Sequence, residues 1–310
     1  MIRREGGFTF VELIVASAIL ITVSAAVLWL LHDGLAAAPV LEEATDLQQR
    51  ARVSIDALAA ELRAAAAGPP SGPLSRYFAA VEPRAAIDPP GTASASALTV
   101  RYVPPNGAHS RLVQPLLPGV PTAFVDTASP CPLGTTACGF NASTTAVVFD
   151  PSGAADFVSV DAIAPGVLTV SDPIAGRAQP YPAGDEIAEA LQVSFIFDPA
   201  ARQLRRAEGG GDFVLADNIN AVTFEYFAAD MSRLPLALFG DGPFVGAGST
   251  AFDADLLRIR TVRATLRFDT GVDRLRGIDT RLFARPGTAS GARVLPDLVA
   301  RLDVALRNGG

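Results

Sequence analysis

The sequence contains no lysine, and all 25 of its basic side chains are arginine. Chemistry that needs a lysine amine is thereby excluded, including P-loop phosphate binding, Schiff-base formation and Ser-Lys dyads. Histidine is nearly as scarce: His32 and His109 stand alone, and Cys131 and Cys138 are the two cysteines, which leaves too few donors for a His-rich or Cys-rich metal centre. Charged residues make up only 18% of the chain, and its 32 acids outnumber its bases, so a nucleic acid gripped by phosphate neutralisation is not an expected partner. Apolar side chains are abundant instead. They form 49% of the 310 residues, and a mean hydropathy of +0.31 is too high for a disordered chain and high for a soluble one.

Much of that excess lies at the amino terminus. Residues 8–31, FTFVELIVASAILITVSAAVLWLL, carry one ionisable group, Glu12. A helix rising 1.5 Å per residue over this run extends roughly 36 Å, enough to cross a hydrocarbon core of about 30 Å. Arg3 and Arg4 precede it, so the positive-inside bias keeps the start cytoplasmic and sends the remainder outward. A cleaved secretory signal has a small-residue site available at Ala36-Ala37-Ala38, but its apolar region spans only about 7–15 residues. A plain anchor accounts for the length. It does not account for the Gly6-Gly7 pair ahead of the run, or for a carboxylate one turn inside it, which costs about 2.5–3.5 kcal/mol at a membrane centre and less near the interface.

The string Gly6-Gly7-Phe8-Thr9-Phe10-Val11-Glu12-Leu13 resembles the processing motif of the prepilin family, the type IV pilins and type II secretion pseudopilins. The resemblance implies cutting after Gly7 by a prepilin peptidase, methylation of the new terminal residue Phe8, and Glu12 as the conserved acid of the mature helix. Cutting exposes an ammonium at Phe8, which Glu12 of an adjoining subunit would neutralise as helices stack in an apolar filament core. A buried ion pair of that kind sets register more readily than it adds stability. The family's major pilins carry a proline within the membrane half of this helix. Here the first proline after the run is Pro39, so any kink or melted section is expected at the membrane exit, and the minor subunits are the better match.

Beyond the membrane, Leu41, Ala44, Leu47, Ala51, Ile55, Leu58 and Leu62 recur at spacings of three and four, predicting an amphipathic helix that begins at Pro39 and stops before Gly68-Pro69-Pro70. After residue 67, Pro, Gly, Ser and Thr become frequent and apolar residues alternate with period two. Strands are expected at 98–103, 146–149, 157–162, 167–170, 191–197, 213–215, 222–227, 256–268 and 299–306, paired mostly antiparallel. Within 256–268 the alternation changes parity, which predicts a β-bulge near Thr261. Residues 69–96 read as a loop-rich crossover. The expected organisation is a leader at 1–7, a membrane and assembly helix at 8–31, an amphipathic stalk helix at 32–67, and a β-rich periplasmic head at 68–310, an α+β fold of pilin type.

The order of helix, loop-rich insert, Gly184-Asp185-Glu186-Ile187, the strand at 193–197, Arg202-Gln203-Leu204-Arg205-Arg206 and Val222-Thr223-Phe224-Glu225-Tyr226 resembles large minor pilins of the PilW type and J-type pseudopilins. That likeness implies a subunit near a filament tip, no catalytic residues and no cofactor. It also implies other pilins or pseudopilins and an ATP-driven inner-membrane assembly machine as partners. The alternative is a membrane-anchored periplasmic enzyme or binding protein.

Cys131 and Cys138, separated by six intervening residues in a segment that topology sends to an oxidising compartment, are expected to form a disulfide. Asp241, Asp253 and Asp255 offer oxygens to a cation but lack the twelve-residue EF-hand pattern. Residues 258–310 hold 11 arginines against 5 acids, whereas the preceding residues hold 14 against 27. Arg258, Arg260, Arg263 and Arg267 are expected on the solvent side of a strand, where they would be placed to meet acidic faces of neighbouring subunits.

Overall fold

The computed structural model describes residues 9–68, 78–85, 93–128, 131–132, 134–151, 154–171, 179–209, 211–245, 252–272, 275 and 295–306. The chain divides into two compact units, Met1–Gln49 with Thr270–Asp297, and Arg50–Asp269 with Leu298–Gly310. Helix and antiparallel sheet are segregated along the sequence, an α+β arrangement.

One helix, α1, covers Phe10–Ala64 and therefore runs through both predicted helices without a break. The sequence reading starts a second helix at Pro39, whereas the structure holds Pro39 inside the first. A proline in a helix interior is about 3 kcal/mol worse than alanine, because it lacks the N–H for the preceding turn. Two features offset this. Leu35-Ala36-Ala37-Ala38 on its amino side are strong helix formers, and Val40 and Ala44 on its carboxyl side pack with Val272, Leu275 and Leu295. The helix ends three residues before its predicted limit. Ala66 there takes a positive φ of 62° and donates its N–H to the Arg101 carbonyl, and Val103 donates to Ala67.

In the second unit, a five-stranded antiparallel sheet is ordered β1 (Val81–Glu82), β2 (Ala97–Tyr102), β9 (Leu191–Asp198), β10 (Gln203–Glu208) and β11 (Gly211–Ala216). Glu61 of the helix fastens to it, accepting from the Tyr102 hydroxyl at 2.8 Å and from Arg206 at 2.7 Å. A four-stranded sheet follows the order β13 (Arg233–Leu234), β12 (Ile219–Phe227), β16 (Thr261–Phe268) and β17 (Leu298–Ala305). Its apolar face includes Val222, Phe224, Val262, Ala264, Leu266 and Phe268, all buried, as period-two alternation requires. A small ribbon pairs β14 (Phe244–Val245) with β15 (Phe252–Asp253).

The remaining strands close on themselves. They are β3 (His109–Arg111), β8 (Glu186–Glu189), β5 (Thr144–Phe149), β6 (Ala155–Ala164), β7 (Val167–Ser171) and β4 (Thr122–Phe124), hydrogen-bonded in that order. The two ends of this order meet at the Leu112–Val125 bridge, where Val113 donates to the Phe124 carbonyl and Asp126 to the Arg111 carbonyl, each at 2.9 Å. The result is a small antiparallel barrel, with Leu112, Val125, Val148, Val160, Leu168, Tyr181 and Ile187 among the side chains filling it. Tyr102 pairs with Leu191, so residues 103–190 form an insertion between the neighbouring strands β2 and β9.

The parity change in 256–268 has a different origin from the expected bulge. Residues Ala254–Arg258 form a 3-10 helix and the strand begins only at Thr261. Its pairing with β12 and β17 is unbroken through Thr261, so helix-to-strand switching, not an inserted residue, resets which side chains face inward.

Candidate functional site

The amino-terminal span is built from local rules. Thr9 lies just before the helix, and Glu12 three residues on returns to it: Glu12 Oε2 accepts from the Thr9 N–H and the Thr9 hydroxyl, both at 2.8 Å, while the Glu12 N–H donates to Thr9 Oγ1 at 3.3 Å. This reciprocal arrangement is a capping box, which satisfies backbone donors that the first helical turn leaves unpaired. Thr9 is absent from the sequence reading of the site. Its signal is present all the same, as a threonine followed by a glutamate at the third position ahead of an apolar run. Both hydrogen bonds to Glu12 fall on Oε2, and Oε1 accepts none among the described residues.

Behind this cap, Phe10–His32 is apolar and long enough to cross a membrane, about 34 Å at the usual rise. None of its most apolar window is buried within the chain, and Phe10, Leu20, Ile21, Leu28 and Trp29 stand exposed. Such a surface in water would be a far larger apolar patch than monomeric proteins carry. Ser17 and Thr22 return their hydroxyls to the carbonyls of Leu13 and Ala18, so neither presents a free donor to an apolar environment. Gly7 and Phe8, the expected cut and modification positions, lie outside the described residues.

The other expected sites are in the second unit. Cys131 and Cys138 form a disulfide with a Cα separation of 4.6 Å. It ties the β4–β5 connection so that Ala137, Cys138 and Phe140 join the barrel core, with the left-handed backbone of the next residue supplied by Gly139 at φ +90°. Asp253 is buried and works as a cap: Oδ1 accepts the Asp255 N–H and Oδ2 the Gly242 N–H, each at 2.8 Å. Asp255 in turn pairs with Arg258 at 2.8 Å. His109 faces Glu186 across β3 and β8 at 3.4 Å, and His32 is exposed at the end of the apolar span.

Arg263 and Arg267 lie on the strand face opposite the core side chains, as alternation predicts. Arg258 falls in the 3-10 helix and Arg260 precedes the strand, so the expected four-arginine strand face is reduced to two. Arg263 is already engaged within the chain. Its guanidinium donates to Asp303 at 2.6 Å and lies 4.7 Å from the centre of the Phe227 ring. A second arginine is committed to the interior. Arg101 pairs with Glu82, donates to Gln192 at 2.6 Å and lies over the Phe157 ring of the barrel at 5.4 Å. Among the described residues, no cluster of His, Cys, Asp and Glu is arranged to hold a metal ion.

No protein-family model, curated protein or solved structure matches this chain.

Proposed function

We propose that the chain is a minor pilin or pseudopilin: a subunit inserted in the bacterial inner membrane with its β-rich part in the periplasm. In this reading it is cut after Gly7 by a prepilin peptidase, methylated at Phe8 and assembled through its apolar helix into a type IV pilus or a secretion pseudopilus. The observation that carries this reading is an apolar span that no described residue of its own chain covers, headed by a single carboxylate whose Oε1 accepts no hydrogen bond among the described residues. Lipid covers the span before assembly, and neighbouring helices cover it afterwards. The Thr9 cap lowers the cost of holding Glu12 near the membrane interface, because the acid enters already hydrogen-bonded. On assembly, Oε1 receives the Phe8 ammonium of an adjoining protomer, and the pair fixes axial register. The pilin-type head and a place near the filament tip belong to the same proposal.

Mass spectrometry of the mature protein tests the processing step. A methylated Phe8 terminus is expected, whereas an intact Met1 or a terminus after Ala38 overturns the reading. The role of charge needs a finer variant than alanine, which would remove the cap as well. Glu12→Gln keeps an oxygen for Thr9 but has no charge, so it is expected to insert and be cut normally while its incorporation into filaments falls about ten-fold or more, a buried charge left unpaired costing several kcal/mol. Incorporation at the wild-type level would show that the carboxylate has no assembly role.

A further inference from the structure

The sheet edges of the second unit are protected unequally. Strands β1 and β13 are two residues long, and β11 carries a register shift against β10. Strand β17 is the exception. It is eight residues long, contains no proline or glycine, and pairs with β16 in one continuous register from Thr261–Ala305 to Phe268–Leu298. Its other edge has no strand beside it among the described residues. An unbroken edge of this length presents a row of backbone groups ready to pair.

Which groups point outward follows from the register. Leu306 donates its N–H to the Arg260 carbonyl, so the even-numbered residues of β17 turn their backbone groups toward β16. The odd-numbered residues Val299, Arg301, Asp303 and Ala305 therefore direct theirs to the free edge, and their side chains are exposed. Residues 298–306 read Leu-Val-Ala-Arg-Leu-Asp-Val-Ala-Leu, a sequence that is nearly self-complementary about Leu302.

We propose that a second copy of this chain docks on β17 by antiparallel edge-to-edge pairing, with a two-fold axis at Leu302. In this register Arg301 lies opposite Asp303 of the second copy and Asp303 opposite its Arg301, while Val299 meets Ala305 and Leu302 meets Leu302. Odd-numbered residues then face odd-numbered ones, which is the phase their outward backbone groups require. Two-fold registers centred on Arg301 or on Asp303 set like charges directly opposite each other, which is unfavourable. Arg301 has no ion-pair partner among the described residues, and a carboxylate such as Asp303 can accept from a second arginine while holding Arg263. The pairing is isologous, so it closes at two copies and leaves no new edge. It stands independently of the filament reading.

Cysteine cross-linking of the full chain in detergent micelles tests this, since the native cysteines are already paired. Opposed residues of a non-hydrogen-bonded antiparallel pair lie about 4.5 Å apart at Cα, within disulfide reach. Leu302→Cys is thus expected to give a disulfide-linked dimer on mild oxidation. Val299→Cys is not, since its counterpart lies about 20 Å away. Adding Arg301→Asp to Leu302→Cys sets acid against acid twice and is expected to lower the dimer yield about ten-fold. Equal cross-linking of both single-cysteine variants, a yield unmoved by Arg301→Asp, or no dimer from a natively folded Leu302→Cys protein each overturns the proposal. Should the half-buried Leu302→Cys variant not fold, an equimolar mixture of Arg301→Cys and Asp303→Cys chains takes its place. Cross-linked pairs above the Val299→Cys background support the docking, and a yield at that background overturns it.

Discussion

At the scale of single residues, two tyrosines show how burial and bonding separate. Tyr226 is buried against Phe239, with ring centres 5.5 Å apart, and its hydroxyl has no hydrogen-bond partner among the described residues. An orphaned buried hydroxyl costs about 1–3 kcal/mol, so Tyr226→Phe is expected to raise the unfolding free energy by about 1 kcal/mol in denaturant titrations. Tyr102 is the opposite case, half-buried and bonded to Glu61. Burial pushes the ionisation of both phenols upward, and for Tyr102 the Glu61 carboxylate adds to the shift. Each folded-state phenol keeps its proton at a pH where the unfolded chain, with tyrosines near 10, has lost it. Their contribution to stability is therefore complete below about pH 10 and lost as pH rises above it. Thermal unfolding measured from pH 8 to 11 is expected to fall less steeply above pH 10 in Tyr102→Phe than in the wild type. An unchanged slope would mean that the Tyr102 ionisation is not coupled to folding.

At the scale of elements, local chemistry and tertiary contact divide the credit. The central strands were legible because their alternation is long enough to be unambiguous: 222–227 was expected and β12 covers Ile219–Phe227. Strands β3 and β4 were not, since each is three residues long in a Pro- and Gly-rich stretch and exists through long-range pairing that closes the barrel. The 3-10 turn at Ala254–Arg258 was missed for a similar reason. Its cap, Asp253, also holds the distant Gly242 N–H, a contact that periodicity cannot express. Pro39 is the clearest conflict between propensity and packing. Pro39→Ala supplies an N–H to the Leu35 carbonyl and relieves about 3 kcal/mol of local penalty, so amide exchange in residues 36–43 is expected to slow. Unaltered exchange there would mean that packing around Val40 already sets the stability of this turn.

At the scale of the whole molecule, the closed barrel behaves as a module within a module. Its chain enters after Tyr102 and leaves before Leu191, two residues that pair with each other, so removing it leaves β2 and β9 as a hairpin in need only of a turn. Residues 103–190, expressed alone, are expected to fold to a β-rich state with one cooperative transition, followed by circular dichroism. The Cys131–Cys138 link closes a short loop, and its reduction is expected to lower that transition by about 2.5 kcal/mol in the chain-entropy account. A fragment without cooperative unfolding would show that the barrel depends on the sheet beneath it. Among the contacts between the barrel and the rest of the second unit are Phe78 against Phe157 at 5.1 Å and Arg101 over the same ring.

The amino-acid order by itself determined the apolar span, its lone carboxylate with the threonine that caps it, the helix that follows, and the disulfide, because each depends on neighbours close along the chain. Tertiary structure decided that Pro39 is carried within one helix, that the insertion closes into a barrel, that Arg263 is held by Asp303, and that β17 has no strand on its outer edge among the described residues. Those outcomes rest on partners tens to hundreds of residues apart. Local periodicity records which side chains seek burial, but not which distant surface will bury them.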